Sequence, residues 1–227
     1  MIARMVQTIL FVVVAAIVGT VLYWYIDIIH RGGVVMIPIV MCSIFAVAIA
    51  IERFVYFFGT GSDTDQFIVQ LRSHVQSGHW QEIEALCQNT KGSVARVTHA
   101  GLSVRERQAL EIERVMEEAA REELPLVERH HRWLATLAQT ATLLGLLGTV
   151  TGMVNAFQVI QSKATLTNPV NPADLAGGIW EALITTVAGL EVAIPTILVY
   201  NYFVGRSVEV QSQIERVAGI VAHWRRS

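Results

Sequence analysis

Apolar residues along this chain gather into four long runs, Val6–Ile26, Val34–Phe58, Trp133–Ile160 and Leu175–Phe203, separated by stretches where charges recur every few positions. Each run reaches the roughly 20 residues that a helix needs to cross about 30 Å of hydrocarbon. A spanning strand is about half as long and alternates in polarity, so helices are the elements these runs predict. The expected fold class is all-α: a polytopic helical membrane protein with long helices extending into the cytoplasm. The first run has Arg4 ahead of it, as a signal peptide would, but its apolar core is long and no clean small-x-small cleavage site follows. It also lacks the charged face of an interfacial helix, so it is read as a retained span.

Composition agrees with the pattern. With 53% hydrophobic and 16% charged residues, the chain is too apolar for an ordinary soluble domain. Lys and Arg set the orientation. Arg72, Lys91, Arg96, Arg105, Arg107, Arg114, Arg121, Arg129 and Arg132 lie between the second and third runs, and Arg206, Arg216, Arg225 and Arg226 follow the fourth. Both regions are expected in the cytoplasm, and the connections holding only Arg31 and Lys163 on the other side. One topology satisfies all four spans, with the N- and C-termini cytoplasmic. The organisation is then 1–30, an extra N-terminal transmembrane segment; 31–58, a transmembrane helix; 59–132, a cytoplasmic helical domain; 133–204, a two-helix channel region; and 205–227, a cytoplasmic tail.

Within 59–132, breaks are expected at Gly59–Ser62, Ser77-Gly78 and Lys91–Ser93. Asp63 or Asp65 suits the cap of a helix running through His74, and a second short helix covers about His79–Gln88, forming a hairpin. From Arg105 onward, mixed charges including Glu106, Arg107, Glu111, Glu113, Arg114, Glu117, Glu118 and Arg121 suit a solvated helix with i,i+4 pairs. No cluster of breakers separates it from the third run. One helix of about 50 residues is expected to pass from cytoplasm into membrane, kinked at Pro125 but not ended by it.

Several functions are excluded. The net charge of −2 comes with no clustered Lys/Arg surface, so no nucleic acid is expected as a partner. Cys42 and Cys87 match no CxxC pattern and read as inert. HExxH, GxSxG and P-loop motifs are missing from the sequence, so neither an enzyme nor a cofactor is expected. His130 and His131 sit at the headgroup level, without a third ligand at helical spacing, and no metal site is expected there.

The chemistry lies in residues that do not belong in lipid. The third run places Thr142, Thr149 and Asn155 among Gly145, Gly148 and Gly152. Glycines three, four and seven apart share one helix face and let backbones approach closely, so that face packs on other helices. The hydroxyls also suit bonds to the i−4 carbonyl. The fourth run follows Asn168-Pro169 and Asn171-Pro172, with Asp174 as its expected N-cap. It carries a second face of Gly178, Ala182, Thr185, Thr186, Gly189, Ala193 and Pro195. Glu181 and Glu191 are the ionisable groups in this span, where a carboxylate costs a few kcal/mol and usually faces a bundle interior or a water path. Glu181 is about two turns from the non-cytoplasmic end, close enough to snorkel, whereas Glu191 is deeper and lacks a cationic partner in the spans.

The string LLGLLGTVTGMVNAF over Leu143–Phe157, followed by GIWEALITTVAGLEVAIPTILVYN over Gly178–Asn201, resembles the two signature spans of the MotA/TolQ/ExbB proton-channel family, closest to its ExbB/TolQ branch. Gly32–Pro38 leading to Ile51-Glu52-Arg53 resembles that family's first conserved span, so the likeness runs from about residue 32 to the C-terminus. The resemblance implies a homopentamer around the single helices of two smaller ExbD/TolR-type subunits. It implies that the proton-binding Asp belongs to that partner, and that Thr149 and Thr186 meet it in the pore with Glu181 at the family's acidic position. It further implies a bacterial inner-membrane motor that converts proton motive force into work on an envelope process, either TonB-dependent uptake or a Tol-like one, reached through a TonB- or TolA-like protein. Membrane lipids are the other contact. A hydroxyl both donates and accepts, so it can solvate a carboxylate without carrying charge itself.

The expected proton-pathway set is therefore Thr149, Thr186, Glu181, Thr185, Asn155 and Glu191, with Gly145, Gly148, Gly152, Gly189 and Pro195 in helix packing. Two features depart from the family pattern: the extra first span, and Glu191 where an apolar residue is usual. The alternatives are a flagellar or gliding stator, for which the cytoplasmic region of about 75 residues is small, and a non-conducting structural scaffold.

Overall fold

The structure is a computed structural model that describes residues 32–60, 64–163 and 172–226. Among them every regular element is a helix: α1 (Met36–Thr60), α2 (Thr64–Ser77), α3 (Trp80–Asn89), α4 (Ser93–Ser103), α5 (Ala109–Val127), α6 (His131–Lys163) and α7 (Pro172–Arg226). Three stretches, within α1, α6 and α7, are long and apolar enough to cross a membrane. The chain is an all-α polytopic membrane protein. The expected span Val6–Ile26 and the cap Asp63 lie outside the described residues.

The chain divides into two compact units. One holds the described residues from Gly32 to Ala48 with those of Trp133–Val199. In it α1 opens behind Gly33, whose φ of 66° turns the chain, and the N–H of Met36 returns to the Gly33 carbonyl at 3.3 Å. Pro38 falls in the first turn, where a missing N–H costs no helical bond. Met36, Ile39 and Cys42, three apart on one face, pack with Ala141 of α6 and with Ala188, Val192 and Ala193 of α7. The opposite faces stay apolar and exposed: Leu143, Leu146, Val150, Met153 and Phe157 on α6, and Leu183, Val187, Leu190, Ile194 and Leu198 on α7. Such faces are stable against lipid or another subunit and unstable in water.

The second unit comprises Ile49–Arg132 and Tyr200–Ser227. Its core joins Phe67, Leu71 and Val75 of α2, Ile83 and Cys87 of α3, Val94 and Val97 of α4, Ile112 and Met116 of α5, and Ile214, Val217 and Val221 of α7. The spacings of three and four put each set on one helix face, and each large side chain contributes about 1.5–3 kcal/mol by leaving water. Gly101 is required at the α4–α5 crossing, because a Cβ there would stand 2.5 Å from Cγ of Met116. Arg96 holds Glu123 with two bonds of 2.5 and 2.6 Å.

Two expectations are corrected. The single helix from the charged stretch into the third run is two helices, α5 and α6, with the chain turning through Glu128 to His130. His130 adopts φ 68°, a left-handed conformation that ends helices and that His tolerates better than bulkier residues. Arg53 secures the turn: its buried guanidinium donates to the carbonyls of Leu126 at 3.2 Å and Val127 at 3.4 Å. Glu52 completes it, accepting from Arg53 at 2.5 Å and lying 2.7 Å from Nδ1 of His130. Pro125 lies inside α5 without ending it. Secondly, α7 begins at Pro172, so Asp174 is a first-turn residue and not the N-cap; proline's fixed φ suits that start. The segment after the expected Lys91–Ser93 break is a helix, α4, in keeping with the helical character expected of 59–132.

Candidate functional site

Small residues make the α6–α7 contact. A Cβ on Gly145 would lie 3.2 Å from the Thr185 carbonyl oxygen and from Cα of Thr186. One on Gly148 would overlap the Thr185 side chain, and one on Gly152 would come 2.8 Å from Ala182. From the other side, Gly189 approaches Gly145 and the Ala141 carbonyl, and Gly178 approaches Ala156. The pairings 141 with 189, 145 with 185 and 186, 152 with 182 and 156 with 178 run antiparallel through several turns. Alanine at Gly148, Gly152, Gly178 and Gly189 has no room and at Gly145 would be tight, and the close approach exposes backbone carbonyls of one helix to side chains of the other.

Thr186 uses that access. Its hydroxyl donates to the Gly145 carbonyl at 2.9 Å, across the helices. Thr185 is 1% exposed and donates to the Ala182 carbonyl at 2.8 Å, so it packs inside the contact. Thr149 is half-buried, donating to the Leu146 carbonyl at 2.6 Å, with its oxygen lone pairs free to accept. Thr142 donates to the Ala138 carbonyl at 3.0 Å. Asn155 is exposed on α6.

The two carboxylates differ in setting. Glu181 is half-buried and its Cδ would lie 3.0 Å from a Cβ on Gly33, with Oε1 closer still. The turn before α1 needs glycine for its φ, and the Glu181 carboxylate lies over the space a Cβ would take. Glu191 is exposed, on the apolar face of α7 between Val187 and Ile194. Pro195 lies within α7 and cannot supply the helical N–H to the carbonyl four residues earlier, that of Glu191. Side chain and main chain at Glu191 therefore both offer oxygen on an apolar surface.

Sequence reasoning missed two members of the α6–α7 contact and one neighbour of Glu181. Ala141 and Ala156 extend the glycine row at a spacing of four, a signal present in the sequence but hidden by alanine's abundance in any apolar helix. Gly33 is distant in sequence, and only the fold brings it to Glu181. Arg53 was visible as a charge interrupting an apolar run, though its partners were not.

His131 packs beside Phe57 and Phe203, with ring centroids 6.3 and 6.0 Å away, and those two rings stack on each other at 5.6 Å. Ser207 Oγ lies 3.5 Å from Nδ1 of His131.

Residues 89–216 match the family model described as the MotA/TolQ/ExbB proton channel family. The chain is 33% identical over 172 residues to an ExbB-like biopolymer transport protein of Synechocystis sp., covering 76% of this chain and 81% of that one. It is 30% identical over 200 residues to a biopolymer transport ExbB homologue of Methanothermobacter thermautotrophicus, covering 88% and 68%. Against the Tol-Pal system protein TolQ of Pseudomonas aeruginosa it is 40% identical over 98 residues, or 42% of this chain and 40% of TolQ. The family is one of channels and transport. The matched segment contains the whole small-residue contact between α6 and α7, and the chain belongs to the MotA/TolQ/ExbB proton channel family, in its ExbB/TolQ branch.

Proposed function

We propose that this chain is the ring-forming subunit of a proton-driven motor in a bacterial inner membrane, with both termini in the cytoplasm, and that it works on an envelope process of the TonB or Tol type. The α6–α7 contact carries the reading. It fixes two helices by small residues alone, and along it stand Thr186, bonded across the gap, and Thr149, partly open. A hydroxyl that gives its proton to a backbone carbonyl still accepts two hydrogen bonds. Thr149 and Thr186 are thus suited to accept a hydrogen bond from a protonated carboxyl on a partner helix and, by turning their own hydrogen toward it, to solvate the carboxylate once the proton leaves.

The proton-binding Asp is supplied by an ExbD/TolR-type single-span subunit, and five copies of this chain enclose two such helices. Protonation neutralises the Asp and removes its preference for polar positions, which lets the partner helix step to the next interface under a proton gradient. Glu181 fixes the turn before α1 against α7 and orders the non-cytoplasmic mouth. Asn155 and Glu191 supply further polar positions on the outward faces.

Proton uptake into liposomes tests this, comparing the chain alone with the chain co-purified with its single-span partner. Uptake under an imposed potential is expected only with the partner present. A well-assembled complex that passes no protons would reduce the chain to a scaffold.

A further inference from the structure

The turn between α2 and α3 gathers three metal-binding side chains away from the channel helices. His74 lies in the last turn of α2, His79 directly precedes α3, and Glu82 lies in the first turn of α3. Nδ1 of His74 is 2.9 Å and Nδ1 of His79 is 3.7 Å from the same oxygen, Oε2 of Glu82. The ligand atoms of all three lie within 4.8 Å of one another. A tetrahedral ion at about 2.0–2.1 Å from each donor holds donors about 3.3–3.4 Å apart, and the two measured separations bracket that value.

The backbone holds the three in place. Gly78 reverses the chain with φ 73°, and the His79 N–H closes on the His74 carbonyl at 3.1 Å. The neighbour of each ligand is anchored. Val75 and Ile83 are core residues, and Trp80 packs on Trp224 with ring centroids 4.1 Å apart. The ligands themselves point outward: the side chains of His79 and Glu82 are 59% and 58% exposed, so an ion has open access and water can complete its shell.

We propose that His74, His79 and Glu82 form a binding site for a divalent transition-metal ion. Two imidazole nitrogens and one carboxylate oxygen favour Zn²⁺, Co²⁺, Ni²⁺ or Cu²⁺ over Mg²⁺ and Ca²⁺, which prefer oxygen alone. The bound ion replaces two contacts of imidazole nitrogen with one shared carboxylate oxygen by three metal–ligand bonds, and it clamps α2 to α3. The set crosses a turn and has no helical periodicity, so no local spacing in the sequence marks it.

Chelator-stripped full-length chain in detergent, titrated with Zn²⁺ by calorimetry and with Co²⁺ by absorption, tests the site. One ion per chain is expected, with visible d–d bands from Co²⁺ and a rise in the thermal midpoint with Zn²⁺. His79→Ala and Glu82→Gln, both at exposed positions, should each weaken binding by about tenfold or more, whereas His99→Ala, an exposed histidine outside the cluster, should leave it unchanged. Circular dichroism of the metal-free variants separates lost ligation from lost folding. No saturable binding, or equal binding in the wild type and both ligand variants, would overturn the proposal.

Discussion

A methyl group is the unit of discrimination between α6 and α7. Gly148 on α6 faces the Thr185 side chain with no space for a Cβ, whereas Gly219 on α7 has nothing within 4 Å of that position. Gly148→Ala should therefore cost about 1–3 kcal/mol through overpacking, and Gly219→Ala should be neutral or stabilise by about 0.5–1 kcal/mol. Thermal midpoints in detergent give the two signs. Cys87 offers a second test of burial. Its thiol is pushed up to about 11 by desolvation in the core, with Glu84 adding to the effect. Since the thiolate is the nucleophile, alkylation at pH 8 should be far slower in the folded chain than after unfolding. Equal rates would mean that the α3 core opens freely. The sequence reading identified the glycines and threonines because small residues at spacings of three and four have few other uses in a long apolar helix. Thr185 and Thr186 are adjacent and chemically alike there, and only the fold separates the packed one from the one that crosses to Gly145.

Helix ends are decided by distant partners, which is why one was misread. Nothing local marks Glu128–His130 as a turn, and Pro125, the obvious breaker, is absorbed within α5. The turn depends on Arg53, more than seventy residues earlier, whose donors satisfy the last carbonyls of α5. Arg53→Met keeps most of the volume and removes those bonds, and should destabilise by about 2–3 kcal/mol, as expected for hydrogen bonds from a charged donor. Hydrogen exchange should rise first around residues 124–131. On the other side of α5, the Arg96 guanidinium holds the Glu123 carboxyl below the usual carboxylate range. A lowered folded pKa gives stability that is present above the unfolded value of about 4.3 and is lost as pH falls through the folded one. The pair is partly solvated, so Glu123→Gln should cost no more than about 1 kcal/mol at neutral pH. The deficit should vanish in acid, where the wild-type carboxyl is also neutral.

For the molecule as a whole, hydropathy alone was enough to give the helical membrane architecture, because few folds other than a spanning helix accommodate apolar runs of this length. The two-unit division was harder to read. α7 supplies residues to both units, and its polar half continues the apolar half without a break that composition would mark. The exposed faces of α6 and α7 carry large apolar side chains from Leu143 to Phe157 and from Trp180 to Leu198, as expected of faces that meet lipid or a neighbouring helix. The central claim is that the Thr149 and Thr186 hydroxyls carry the partner's carboxyl through the ring, and it is tested by proton flux into liposomes containing the chain with its single-span partner. Thr149→Val with Thr186→Val should abolish flux while the complex still assembles, and Thr149→Ser with Thr186→Ser should restore most of it. Flux unchanged in the valine pair would contradict the account, since apolar isosteres would then serve the pore as well as hydroxyls do.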